Sequence, residues 1–198
     1  LEQLQGTPLA VSALDRDILP ARLVDYDASD LDELFAAGEV VWRGIESVGP
    51  GDGRIALYLT DHFAQLAPPP TTVDEELPRR VYDLLAERGA LFFDELVRSL
   101  GGFPNDLVDA LWQLVWAGQV TNDALTALRS RGGRSAAPRR REGRRRAFRS
   151  RRKTRLPGAE GRWSLLRYDA DDVTPTSRQT ALVEQLLDRY GIVTRAAI

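Results

Sequence analysis

A chain of 198 residues with 43% hydrophobic content is long enough to bury one or two ordinary cores. Its lack of cysteine and its single histidine, His62, exclude disulfides, thiolate metal sites, histidine metal clusters and paired catalytic histidines. The formal net charge of -2 conceals a strong asymmetry, because residues 129–155 hold fourteen of the 27 basic residues and one acid, Glu142, on an otherwise acidic chain. Such separation marks a polyanion-binding arm. No stretch approaches the roughly 20 apolar residues of a transmembrane helix, and the start lacks the layout of a signal peptide, so the expectation is a cytoplasmic setting with no membrane partner.

In chain order, Leu4-Gln5-Gly6 reads as the end of an apolar helix at a glycine, where a left-handed cap costs least. A short apolar bridge and a second helix follow. A third helix opens at Ser29, whose hydroxyl caps it with Asp32 three residues on, and runs to Phe35-Ala36-Ala37-Gly38-Glu39-Val40. Strands over Val40 to Ile45 and Arg54 to Leu59, joined by the Gly-Pro-Gly-Asp-Gly turn at 49–53, read as a β-hairpin. Pro68-Pro69-Pro70 mark a linker.

The order then repeats. One helix ends at Leu84-Leu85-Ala86-Glu87-Arg88-Gly89, and a second carries Phe93, Leu96, Val97 and Leu100 on one face and stops at Gly101-Gly102. A third opens at Asn105 behind Pro104 and closes on Val115-Trp116-Ala117-Gly118-Gln119-Val120, the same shape as the earlier helix end. A strand near Gln119 to Asn122 would pair with a returning strand at Arg162 to Leu166, with the basic tract between them. Behind Pro175, Leu186-Leu187-Asp188-Arg189-Tyr190-Gly191 ends a third first helix.

Three helices followed by a hairpin is the winged-helix order. The expected fold is therefore mainly α with small β-hairpins, an α+β chain of tandem winged-helix modules truncated at both ends. Residues 1–66 form the first module, 67–73 the linker, 74–174 a second module with an Arg-rich insertion at 129–162, and 175–198 the start of a third.

The third helices are poor DNA readers. Asp25, Asp27, Asp30, Asp32 and Glu33 surround the first, and Asp106 and Asp109 line the second, leaving Gln113 as its polar reader. Carboxylates against phosphates repel, so these helices are expected to be scaffold surfaces or protein contacts. Nucleic-acid affinity is assigned instead to Arg139, Arg140, Arg141, Arg144, Arg145, Arg146, Arg149, Arg151, Arg152, Lys153 and Arg155. These would contact backbone phosphates without reading sequence, on single-stranded DNA and equally on RNA. An acidic protein surface is the alternative partner for such a loop. Trp112 and Trp116, four apart on one helix face, are expected to fill the core or the joint between modules, as are Trp42 and Trp163. His62 is expected at the surface or packed on the linker. No nucleotide-binding or nucleophile-elbow motif occurs, so no catalytic site, metal or cofactor is expected within these residues.

Three phrases carry a resemblance: Leu31-Asp32-Glu33-Leu34 running to Gly38-Glu39-Val40-Val41-Trp42, Leu111 through Asp123, and Gly161-Arg162-Trp163-Ser164-Leu165-Leu166. Together they resemble the C-terminal region of the large helicase-related (Lhr) proteins of bacteria. The resemblance implies a parent superfamily 2 helicase, ATP-dependent, moving 3′ to 5′ on single strands and engaged in DNA repair. Its ATP- and magnesium-binding motor would lie elsewhere, and the partners of this segment would be DNA and the remaining domains of the parent. That region also looks like a winged-helix DNA glycosylase family with a Gln-x-Gln motif, a form that Gln3-Leu4-Gln5 takes.

Overall fold

The computed structural model describes residues 1–49, 51–131, 156–168 and 173–194. The tract residues Arg139, Arg140, Arg141, Arg144, Arg145, Arg146, Arg149, Arg151, Arg152, Lys153 and Arg155 lie outside the described residues.

The first segment opens with a short 3-10 turn, Glu2–Leu4, and Gly6 at φ 71° redirects the chain into strand β1, Leu9–Ala10. Helix α1, Val11–Ala13, continues as a π-helical turn over Leu14–Ile18. Helix α2, Ala28–Ala36, leads to strands β2, Val40–Ser47, and β3, Gly53–Leu59. The expected hairpin is present, but it is part of a three-stranded sheet of order β1-β3-β2, because the apolar bridge after Gly6 pairs Leu9 with Ile55. Helix α3, Thr60–Leu66, absent from the sequence reading, returns across this sheet.

The cap of α2 corrects the sequence expectation. Asp27, not Ser29, is the N-cap, accepting from the Ser29 amide at 2.9 Å, and Asp30, not Asp32, closes the capping box. A carboxylate two residues earlier reaches the free amides better than the serine hydroxyl. Asp32 is thereby released for a distant partner.

The second segment has the same order. Helix α4, Glu76–Arg88, strand β4, Leu91–Phe92, and helix α5, Phe93–Leu100, precede α6, Pro104–Trp116. Pro104 is the first residue of α6, one before the expected start, where its fixed φ and missing N–H are harmless. Strand β5, Val120–Asn122, pairs antiparallel with β6, Arg162–Leu165, and β4 adds the third strand in the order β4-β6-β5. Helix α7, Thr126–Arg131, departs from the expected insertion at 129–162, since Arg129 to Arg131 and the turn at 156–161 belong to the folded body. Leu125, Ala127 and Leu128 are buried, which holds that helix in place. Helix α8, Pro175–Tyr190, ends at Gly191 in the left-handed conformation, as the glycine pattern predicts.

The two sheets do not have separate cores. Trp42, Trp112 and Trp163 are 0%, 1% and 0% exposed and belong to one apolar cluster reaching from Leu4 to Trp163. The Trp42 indole N–H donates to the Asn122 carbonyl at 2.9 Å, and the Thr121 hydroxyl donates back to the Trp42 carbonyl at 2.7 Å. Gly44 touches α6 so closely that a Cβ there would lie 2.3 Å from the Val115 carbonyl oxygen. The tryptophans are core and joint, as expected from the area an indole buries.

Candidate nucleic-acid interface

Although the tract itself is not described, its root is. On one side, α7 brings Arg129, Ser130 and Arg131 to the surface; on the other, the turn Leu156 to Gly161 returns the chain to β6. The Ser130 hydroxyl donates to the Glu160 carboxylate at 2.7 Å and accepts the Gly158 amide at 2.7 Å. The Glu160 carboxylate also accepts that amide, at 2.9 Å, and the Trp112 indole donates to the Gly158 carbonyl at 2.9 Å. Gly158 sits at φ 80°, and a Cβ would meet the Trp112 indole nitrogen at 2.8 Å, so this turn requires glycine. The two ends of the tract are clamped at one neck.

Arg129 ties that neck to the first segment. Its guanidinium donates to Asp15 at 2.7 Å and to Asp32 at 2.7 Å, and the Tyr26 hydroxyl donates to Asp15 at 2.7 Å. Burial is the largest single influence on Arg129 and lowers its pKa, but the hydrogen bonds to Asp15 and Asp32 and their charges outweigh it, so the net shift is upward. Arg131 lies 4.8 Å from the Trp112 ring centroid, and its pKa is lowered by burial, partly offset by Asp109.

The third helices differ in surroundings. α2 buries Leu31 and Phe35 and leaves Asp30 and Ser29 exposed. α6 buries seven residues, from Leu107 to Val115, leaving Asn105, Asp106, Asp109 and Gln113 outward. Its exposed strip is therefore acidic and narrow, a poor match to a phosphate backbone. Among the described residues no group of three or more histidine, aspartate or glutamate side chains is arranged as metal ligands.

Gln5 of the Gln3-Leu4-Gln5 motif is 3% exposed and has every side-chain group engaged. Its Oε1 accepts the Leu59 amide at 3.0 Å, and its Nε2 donates to Gln185 at 3.2 Å and to His62 Nδ1 at 3.1 Å. His62 is itself exposed, a surface position as expected. Arg189 and Gln185 of α8 donate to the backbone carbonyls of Gln3, Gln5 and Glu2. The motif docks α8 onto the first segment, a role that spacing alone does not reveal.

Comparison with known proteins places the chain. Residues 1–60 match the model of the winged-helix domain of large helicase-related protein. Over 220 residues the chain is 34% identical to "Lhr helicase/uracil glycosylase" of Escherichia coli (strain K12), with all of this chain aligned. The chain belongs to the large helicase-related family. A second Lhr protein, "Lhr helicase/ probable uracil glycosylase" of Mycolicibacterium smegmatis, is 37% identical over 215 residues, again across the whole chain. The chain spans about 14% of the length of each of these Lhr relatives. No described helix is long and apolar enough to cross a membrane.

Proposed function

We propose that this Lhr segment is a non-catalytic scaffold of tandem winged-helix modules that displays Arg139 to Arg155 as a nonspecific, salt-sensitive contact for nucleic acid. It acts within an ATP-dependent 3′-5′ DNA helicase serving DNA repair, whose motor holds ATP and magnesium outside these residues. The observation that carries this reading is the neck: Ser130, Gly158, Glu160 and Trp112 bring both ends of a strongly cationic stretch to one point on the folded body. Twelve cations within residues 132–155 gain most from a polyphosphate. Acidic third helices turned into joints agree with contacts that do not read bases.

The test is fluorescence anisotropy with a single-stranded oligonucleotide over a salt series, for the protein and for a variant with the tract arginines replaced by glutamine. Affinity is expected to fall by about 10³ or more between roughly 50 and 200 mM salt and to be lost in the variant. A variant that binds as tightly as the parent overturns the assignment. A second reading follows from the names of the relatives, in which this segment takes part in uracil excision through Gln3 and Gln5. The engaged amide of Gln5 speaks against it, and abasic product from uracil-containing DNA that vanishes on Gln3→Ala would establish it.

A further inference from the structure

Single exposed apolar residues are ordinary, but two large aromatics flank one short helix here. Phe92, just before α5, is 52% exposed, and Phe103, on the turn behind its terminal glycines, is 77% exposed. With eight residues in α5, the two rings stand at the ends of a rod about 12 Å long. Phe92 is paired across the sheet with Arg162, whose guanidinium lies 5.6 Å from the ring centroid.

The arginines around this helix have neutral partners. Arg80 donates to the Leu100 carbonyl, Arg88 to the Ser99 hydroxyl, Arg98 to the Asp94 backbone carbonyl and Arg162 to the Ala90 carbonyl. By contrast Arg16, Arg54 and Arg129 each hold a carboxylate within 2.7 Å. Among the described residues, none of the four around α5 forms an ion pair. Asp83, Glu87 and Asp94 stand on the same helices, while Glu95 is occupied by the Phe92 amide at 2.8 Å. The surface therefore combines arginines interleaved with carboxylates and two exposed rings. That suits a strand whose bases are free to stack better than a duplex held by charge alone.

We propose that the face around α5 binds single-stranded nucleic acid, with Phe92 and Phe103 as stacking platforms for bases and Arg80, Arg88, Arg98 and Arg162 as phosphate contacts. The proposal rests on the reading that the protein engages nucleic acid, and it adds a second surface built on α4, α5 and the start of β6.

The test compares an oligothymidylate of about 16 nucleotides with an abasic backbone of the same length, by anisotropy at low salt. Three proteins are measured: the parent, the double variant Phe92→Leu/Phe103→Leu, and the variant with tract arginines replaced by glutamine. Both phenylalanines are exposed, and an unchanged melting curve verifies that the double variant folds. It is expected to lose roughly ten- to hundred-fold in affinity for oligothymidylate and to bind the abasic strand as the parent does. Equal affinity of the parent and the double variant for oligothymidylate overturns the proposal and leaves the surface to a protein partner. A tract variant of full affinity beside a weakened double variant overturns the tract assignment alone. A parent that binds neither strand overturns both.

Discussion

The two hairpins of this molecule share an element order and lead opposite lives. The first, β2 and β3, is closed by a short glycine turn and enclosed on both faces. One side lies on α6, where a Cβ on Gly53 would fall 2.2 Å from the Trp116 ring. The other carries Tyr58 against Phe63 and, through Phe63, Tyr168, with ring centroids 5.2 and 5.0 Å apart. The second, β5 and β6, meets the first through Thr121 and Asn122 and is connected through α7 and the basic tract, whose two ends are held together at the neck. Both hairpins thus take part in the joint, and the second also carries the neck. The difference lies in what the neighbours cover.

Breaking the enclosure of the first hairpin should have the largest effect. Gly44→Ala puts a methyl group into the Val115 backbone and is expected to destabilise the protein by about 3 kcal/mol, read by denaturant unfolding. If stability is unchanged, the hairpin is not held against α6 and the contrast fails.

Alkaline titration probes its other face. Burial, the largest cause, with the nearby Tyr168 adding to it and Arg43 opposing it, pushes the Tyr58 hydroxyl up to about 12. The neutral form is favoured by the fold, so stability is level below about pH 10, the unfolded value, and falls as pH rises toward the folded one. The parent should lose roughly 2 kcal/mol more than Tyr58→Phe by about pH 12, measured by unfolding across that range. Equal losses would mean that this face is open to water.

Smaller effects belong to the second hairpin. Arg129→Gln leaves Asp15 and Asp32 without their cation at a partly exposed site and should cost about 1 to 2 kcal/mol. Asp32→Asn in the same background should add little, because the pair acts together, and full additivity in the double-mutant cycle would refute the coupling. Ser130→Ala removes one link of the neck and is expected to cost about 1 kcal/mol. Limited proteolysis should cut near residue 156 faster in this variant, and an unaltered cleavage pattern would show that Trp112 and Glu160 hold the neck without it.

Much of the local order was legible in the residues. The glycine-ended helices, the strands at Val40 and Arg54, and the return at Arg162 follow from caps, periodicity and turn chemistry, which act within a few residues. The strands β1 and β4 were read as bridges because two residues carry no period, and they become strands only beside β3 and β6. The cap of α2 was misplaced because Asp27 and Ser29 both satisfy the same rule. The aromatic and arginine face around α5 was missed because Phe92, Phe103 and Arg162 are far apart in the chain or look like core, and exposure distinguishes them.

By itself, then, the sequence determined the main helices and hairpin strands, the family and the separation of charge, since each depends on neighbours along the chain or on composition. Tertiary structure alone decided that Trp42 bonds to Asn122, that Asp32 waits for Arg129, that Gln5 anchors α8, and that the two ends of the tract meet at Ser130 and Gly158. These are contacts between residues 28 to 180 positions apart, and only packing two sheets around one core brings such partners within hydrogen-bonding distance.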